Sequence, residues 1–313
     1  MSTAFIFPGQ GSQFIGMGKD LADKYEEARL VFEEVDNALD QKLSALMFEG
    51  NVDDLNLTEN TQPALMAVSM AVIRVLEGQG KLNMPEELSF VAGHSLGEYA
   101  ALTAAGSLEL SDTARLLKLR GQAMQRAVPV GVGAMAAILG LDFDDVKEIT
   151  KEASGDEKVE AANDNSTGQV VVSGHAGAVA RAVELATEKG AKKAVTLPVS
   201  APFHCTLMAP AAQEMARALA DTDIRPPHVP VVANVTAQAT TEPSQIRQLL
   251  VEQITGTVRW RESVMFLKDQ GIDKVFEIGA GKVLSGLVKR IDRDIATECV
   301  GTAEQVEAFL ANR

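Results

Sequence analysis

Leu88-Ser89-Phe90-Val91-Ala92-Gly93-His94-Ser95-Leu96-Gly97-Glu98-Tyr99-Ala100-Ala101-Leu102 is the stretch on which the reading of this chain turns. Residues 88–92 form a short apolar run of strand length. Residues 98–105 are rich in helix formers and stop at Gly106. Between them lies Gly93-x-Ser95-x-Gly97, a Gly-x-Ser-x-Gly pattern in a strand–turn–helix context. So tight a turn leaves no room for bulk at its flanks, and glycine supplies that. Ser95 would then project from a strained corner at a helix start. Free N–H groups and a partial positive charge gather there, an environment suited to an oxyanion forming beside a serine nucleophile. A glycine-rich turn with an idle serine reads the same way, so the assignment depends on what else the chain supplies.

The totals narrow the field. The chain has 313 residues, enough for one large domain or two smaller ones with ample core. Its formal net charge of −14 argues against nucleic acid as main partner, and means that any anionic substrate must be met by a local basic patch. Two cysteines, Cys205 and Cys299, are too few for a disulfide framework. The start of the chain lacks the basic and long apolar regions of a signal peptide. The longest apolar stretch, 64–75, is interrupted by Ser69 and Arg74 and is too short to span a bilayer. A cytoplasmic location without membrane contact is the default expectation. The histidines and cysteines lack metal-ligand spacing, so no metal site is expected.

Outward from the Ser95 stretch, residues 4–7 read as a buried strand, followed by the glycine-rich loop Pro8-Gly9-Gln10-Gly11-Ser12-Gln13. That loop does not fit a phosphate-binding Walker pattern, and it could bring backbone N–H groups to the Ser95 corner. Residues 20–39 read as one amphipathic helix. Asn60-Thr61-Gln62-Pro63 reads as a helix start, with proline in the first turn of a buried helix over 64–76. Residues 111–127 form the next helix, with Ser111 as N-cap. Composition shifts at 129–133. Beyond it the order is strand 134–139, helix 144–153, strand 159–162, strand 169–173, helix 176–189, strand 194–198. This β-α-β-β-α-β order is that of a ferredoxin-like unit, here inserted into a larger α/β body whose strand and helix signals resume afterwards at 231–235, 244–254, 273–278 and 283–291. The expected division is 1–128 with 199–313 for the large body and 129–198 for the insert.

On the helix over 111–127, Arg120 falls in an apolar stripe with Leu116, Leu117 and Met124. Burying a guanidinium unpaired is costly, so it needs an anion: an internal acid, or a substrate carboxylate held by a bidentate clamp. A serine nucleophile also needs a base. His94 would point away from Ser95 along the strand, His175 sits in a turn of the small unit, and His228 lies among prolines. His204 lies on the loop returning from the insert, where it would cross the cleft between the two bodies. Cys205 reads as a small buried thiol. No Asp stands out as an orienter for His204, unlike the Ser–acid–His order of α/β-hydrolases.

At this point an ordered set of motifs matches a known family. Phe7-Pro8-Gly9-Gln10-Gly11-Ser12-Gln13, Thr58-Glu59-Asn60-Thr61-Gln62-Pro63-Ala64, Gly93-His94-Ser95-Leu96-Gly97-Glu98-Tyr99, Arg120, Ala162-Asn163-Asp164-Asn165-Ser166, Phe203-His204, Gln253, Val258-Arg259-Trp260 and Glu277-Ile278-Gly279 together resemble the malonyl-CoA:acyl carrier protein transacylases, over nearly the whole chain. Position 280 is Ala where the resemblance leads us to expect Pro, and the flanking glycines remain.

The resemblance implies an α/β-hydrolase-like large subdomain with an inserted ferredoxin-like small one. It implies Ser95 as nucleophile, His204 as base and then acid, and the Gln253 main-chain carbonyl as orienter of His204. The N–H groups of Gln10 and Leu96 would form the oxyanion hole. Arg120 would hold the free malonyl carboxylate, with Gln10, Gln62, Phe203, Asn163 and Asn165 around the substrate. Phe203 fits malonyl better than an α-methyl analogue. The implied substrates are malonyl-CoA, a coenzyme A thioester, and phosphopantetheinylated acyl carrier protein, with no bound cofactor and a monomeric chain. An acidic carrier protein would need a basic patch, for which Lys282, Lys289, Arg290 and Arg293, or else Lys118 and Arg126, are candidates. The rival readings are an acyltransferase of different acyl specificity, a serine thioesterase or hydrolase, and a non-catalytic carrier-binding module.

Overall fold

The computed structural model describes residues 2–199 and 201–312. The expected range ends at 1 and 313, and Ser200 of the returning loop, lie outside the described residues. Ten strands are seen among these: β1 (Thr3–Phe7), β2 (Phe90–Gly93), β3 (Gly133–Leu139), β4 (Val159–Ser166), β5 (Gln169–His175), β6 (Lys193–Thr196), β7 (Val231–Ala233), β8 (Gln238–Thr240), β9 (Lys274–Ile278) and β10 (Ala296–Val300). Six of them form one sheet in the order β10-β9-β1-β2-β7-β8, parallel except for the β7–β8 hairpin at its edge. The other four form a separate antiparallel sheet in the order β4-β5-β3-β6.

β1 lies at the centre of the large sheet and is covered on both faces, which is why residues 4–7 are apolar without interruption. Phe5 and Phe7 face a core shared with helix Thr58–Gly78, while Ala4 and Ile6 face a second core with Trp260 and Val264. In the small sheet Ala136, Ile138, Val170 and Val172 alternate onto one face. There they pack against Val146 and Ile149 of helix Phe143–Ala153 and Val179 and Ala182 of helix Ala176–Glu188. No helix among the described residues is long and apolar enough to cross a membrane.

Several boundaries differ from the sequence reading. The helix expected over 20–39 is two, Lys19–Lys24 and Glu26–Leu39, because Tyr25 between them is extended at φ −121°. The buried helix starts at Thr58, so Pro63 lies inside it rather than in its first turn. Thr61 there turns its hydroxyl back onto the Leu55 carbonyl at 2.6 Å. Helix Leu110–Arg126 takes Glu109 as its N-terminal flank, and the Ser111 hydroxyl bonds Glu34 at 2.7 Å instead of capping. The hairpin strand β8, the edge strand β10 and helices Ala209–Ala220, Trp260–Asp269 and Ala303–Ala311 had no counterpart in the sequence reading.

Candidate active site

β1 and β2 run parallel with Phe7 opposite Gly93, and β7 lies on the other side of β2. The chain therefore leaves all three strands at one edge, the carboxyl end, where open parallel sheets form ligand crevices. Gln10, Ser95 and Asn234 each follow one of these strands and converge there. The turn after β2 is as tight as its glycines suggested. A Cβ on Gly93 would stand 1.9 Å from the Gly97 carbonyl oxygen, and one on Gly97 would stand 2.3 Å from that of Phe7. Ser95 itself adopts φ 54°, a left-handed conformation unusual for a residue with a side chain. Asn234 clamps that corner: its Oδ1 accepts the Ser95 N–H at 2.7 Å, and its Nδ2 donates to the Gly93 carbonyl at 2.6 Å.

The imidazole of His204 reaches Ser95 from the opposite side. Its Nε2 lies 2.8 Å from Ser95 Oγ, and its Nδ1 lies 2.8 Å from the Gln253 main-chain oxygen. A carbonyl can only accept, so Nδ1 carries the proton and Nε2 presents a lone pair to the hydroxyl. Gln253 stands in the last turn of helix Pro243–Thr255, where carbonyls have no partner within the helix. A helix end thus fills the place of the missing acid. Burial, reinforced by the Arg120 charge, pushes the His204 pKa down to about 3 and keeps the ring neutral.

Arg120 is 1% exposed, on a helix that approaches helix Thr58–Gly78 so closely that a Cβ on Gly121 would meet the Glu59 backbone at 2.5 Å. Its Nη1 donates to Gln62 Oε1 at 2.8 Å, and its Nη2 to Gln253 Oε1 at 2.9 Å and Ser95 Oγ at 3.2 Å. All three bonds end on uncharged oxygens, and Nε has no hydrogen-bond partner among the described residues. A buried cation satisfied only by neutral groups, and touching the serine oxygen, is a place prepared for an anion.

These groups surround a cavity of about 190 Å³. Gln10, Gln62, Ser95, Leu96, Arg120, Asn163, Asn165, Phe203 and His204 all line it, and Met124, Met135 and Leu197 add an apolar wall. The main-chain N–H groups of Gln10 and Leu96 form no hydrogen bond among the described residues, which leaves two donors for an oxyanion. A more open groove of about 880 Å³, between helix Phe143–Ala153 and Arg259–Arg261, reaches His204 from outside but holds none of the other site residues.

The remaining histidines are placed differently. His94 does not bond Ser95, but it does line the cavity, with Nε2 2.8 Å from Asn165 Oδ1. His175 accepts the Lys158 N–H in the small sheet at 3.0 Å, and His228 is exposed rather than packed away. Among the basic candidates, Lys118 is paired with Glu59 and Arg126 with Glu214. Lys282, Lys289 and Arg290 are exposed, and Arg290 reaches Gln169 of the small sheet at 2.6 Å. Sequence reasoning missed Asn234, the side chain of Gln253, and Glu98. The Glu98 carboxylate accepts from Asn234 N at 3.0 Å and Gln253 Nε2 at 2.7 Å, and burial pushes its pKa up to about 7. Only the neighbouring of β2 and β7 could have pointed to Asn234.

Known proteins resemble this chain over nearly its whole length. The family described as acyl transferase domain matches residues 4–305. The malonyl CoA-acyl carrier protein transacylase of Bacillus subtilis is 47% identical over 305 residues, 97% of this chain and 95% of that protein. The crystal structure of acyl-carrier-protein-S-malonyltransferase from Bartonella henselae is 57% identical with a TM-score of 0.97, covering 100% of this chain and 99% of that one. A malonyl-transacylase solved in complex with its type II PKS acyl-carrier protein is 41% identical with a TM-score of 0.95, covering 100% of both chains.

Proposed function

The chain belongs to the acyl transferase family, and from that premise we infer that it is an [acyl-carrier-protein] S-malonyltransferase of fatty-acid synthesis, moving malonyl from malonyl-CoA to the thiol of acyl carrier protein. The observation that carries the residue assignment is the convergence of the His204 imidazole and the Arg120 guanidinium on Ser95 Oγ, at 2.8 and 3.2 Å.

In the reaction we propose, His204 Nε2 takes the Ser95 proton as Oγ attacks the thioester carbonyl. The N–H groups of Gln10 and Leu96 receive the oxyanion. The C–S bond then breaks, the proton passes from His204 to the coenzyme A sulfur, and malonyl remains as a Ser95 ester. The carrier thiol attacks that ester and reverses the sequence, with His204 again moving the proton. The free malonyl carboxylate pairs with Arg120. This pairing also screens one of the three influences that hold the His204 pKa down, burial, the Arg120 charge and His94, so the correct substrate strengthens the base. An acetyl thioester offers neither effect. Gln62, Asn163, Asn165 and Phe203 shape the space around the acyl group.

We assign the large sheet and its helices to an α/β-hydrolase-like subdomain, 1–128 with 199–313, and 129–198 to an inserted ferredoxin-like one. The β4-β5-β3-β6 order, with two helices on one face, supports the second assignment. The exposed Lys282, Lys289 and Arg290 are our candidates for docking the carrier protein, since none of them is spent on an internal acid as Lys118 and Arg126 are.

Mass spectrometry of peptides from enzyme quenched after exposure to malonyl-CoA tests the assignment. Malonyl is expected on Ser95, discharged by added pantetheine thiol far faster than by water. Discharge by water at an equal rate would instead make the protein a thioesterase.

A further inference from the structure

Glu98 takes no part in the chemistry described so far, yet it is 3% exposed and lies on the helix that begins beside Ser95. Its Oε2 accepts the side-chain NH₂ of Gln253 at 2.7 Å. The other end of the same amide, Oε1, accepts Arg120 Nη2 at 2.9 Å. An amide can be turned either way, but a carboxylate only accepts and a guanidinium only donates. Opposite charges at its two ends, together with the Ser95 main-chain oxygen that the same NH₂ reaches at 3.0 Å, therefore fix one orientation. A buried anion and a buried cation are joined through one polarised amide without touching each other. If the amide were free to turn, its NH₂ would face the guanidinium, and Arg120 would lose the acceptor that aims Nη2 at the cavity.

Building on the malonyl reading above, we propose that Glu98 is a positioning residue for substrate selection: it locks the Gln253 amide, and the amide holds the Arg120 guanidinium where it meets the malonyl carboxylate. The tie to Arg120 bears on substrates with a free acid, while the Asn234 main-chain N–H that the same Oε2 accepts at 3.0 Å keeps an oxygen acceptor in Glu98→Gln. The main-chain oxygen of Gln253 serves His204 separately, so Glu98 leaves the base in place.

The test is steady-state kinetics of the full-length Glu98→Gln variant with malonyl-CoA and acetyl-CoA as alternative donors, at a pH well above neutrality where Glu98 is ionised. The substitution keeps shape but removes the charge that, with the Ser95 main-chain oxygen, fixes the amide. The expected result is a rise of about tenfold in KM for malonyl-CoA, with its kcat and both acetyl parameters changed by less than about threefold. A residue needed only for folding would lower both donors together. An unchanged malonyl-to-acetyl ratio would overturn the proposal, as would a fall in malonyl KM, which would make Glu98 merely repulsive to substrate. If Glu98→Gln does not fold, Glu98→Asp withdraws the carboxylate from the Gln253 amide while keeping its charge, and the same selective loss of malonyl is expected. Arg120→Ala is the control. If Arg120→Ala spares the ratio, the carboxylate clamp itself is wrong. If it lowers the ratio and Glu98→Gln does not, only the role of Glu98 falls.

Discussion

Beside the six-stranded sheet the interior near the cavity is polar and tied together, whereas inside the four-stranded sheet it is apolar. Ser95, Glu98, Arg120, Asn234 and Gln253 all belong to the first body, on strand ends and helices that pack against one core, and they bond each other at 2.7–3.2 Å. The small sheet is held by Ala, Val and Ile contacts, and reaches the cavity through Asn163, Asn165 and a few apolar side chains. The groups that bond one another around Ser95 all come from the body of the six-stranded sheet. The four-stranded sheet supplies part of the cavity wall through Met135, Asn163, Asn165 and Val171. We propose water exclusion as the contribution of the small sheet.

Paired substitutions test that division. Asn234→Ala removes the clamp on the strained Ser95 corner. Its expected effect is a fall in kcat of about a hundredfold, with KM for malonyl-CoA nearly unchanged. Asn165→Ala removes a contact from the small sheet to His94. Its expected effect is a rise of a few-fold in KM, at about three- to fivefold, with kcat preserved. The division fails if Asn165→Ala lowers kcat as much as Asn234→Ala does.

The smallest expected effect is one of pH. His204 protonates only near its depressed pKa of about 3, not at its ordinary 6.5. As kcat/KM reports the free enzyme, acylation by a short malonyl thioester without nucleotide phosphates should show no imidazole limb around 6.5. An acid limb near 7 would belong to Glu98, which burial pushes up to about 7, and should vanish in Glu98→Gln. A limb near 6.5 that survives Glu98→Gln would contradict a buried neutral imidazole.

Much of the cavity was legible because its residues sit in patterns whose physics is local. Gly93 and Gly97 announce a close approach of backbone, and Arg120 announces itself as a charge in an apolar stripe. The pairing of the Gln253 carbonyl with His204 was expected from the family resemblance rather than from any local pattern. Asn234 stayed hidden because Val-Ala-Asn-Val-Thr carries no periodic or capping signal, and its role exists only once β7 lies beside β2. Glu98 was read as part of a helix start, since nothing in a helical pattern shows that a buried amide waits on the far side. The split at Tyr25 and the shift from Ser111 to Glu109 are cases where tertiary contacts overrode helix propensity.

The most direct test of the central claim is the ratio of malonyl to acetyl transfer in Arg120→Ala against the unaltered chain. A guanidinium held over Ser95 to receive a substrate carboxylate predicts that malonyl kcat/KM falls by about a hundredfold or more while acetyl transfer is maintained or rises. Equal losses for both donors would make Arg120 a structural residue and leave the selection of malonyl without its physical basis.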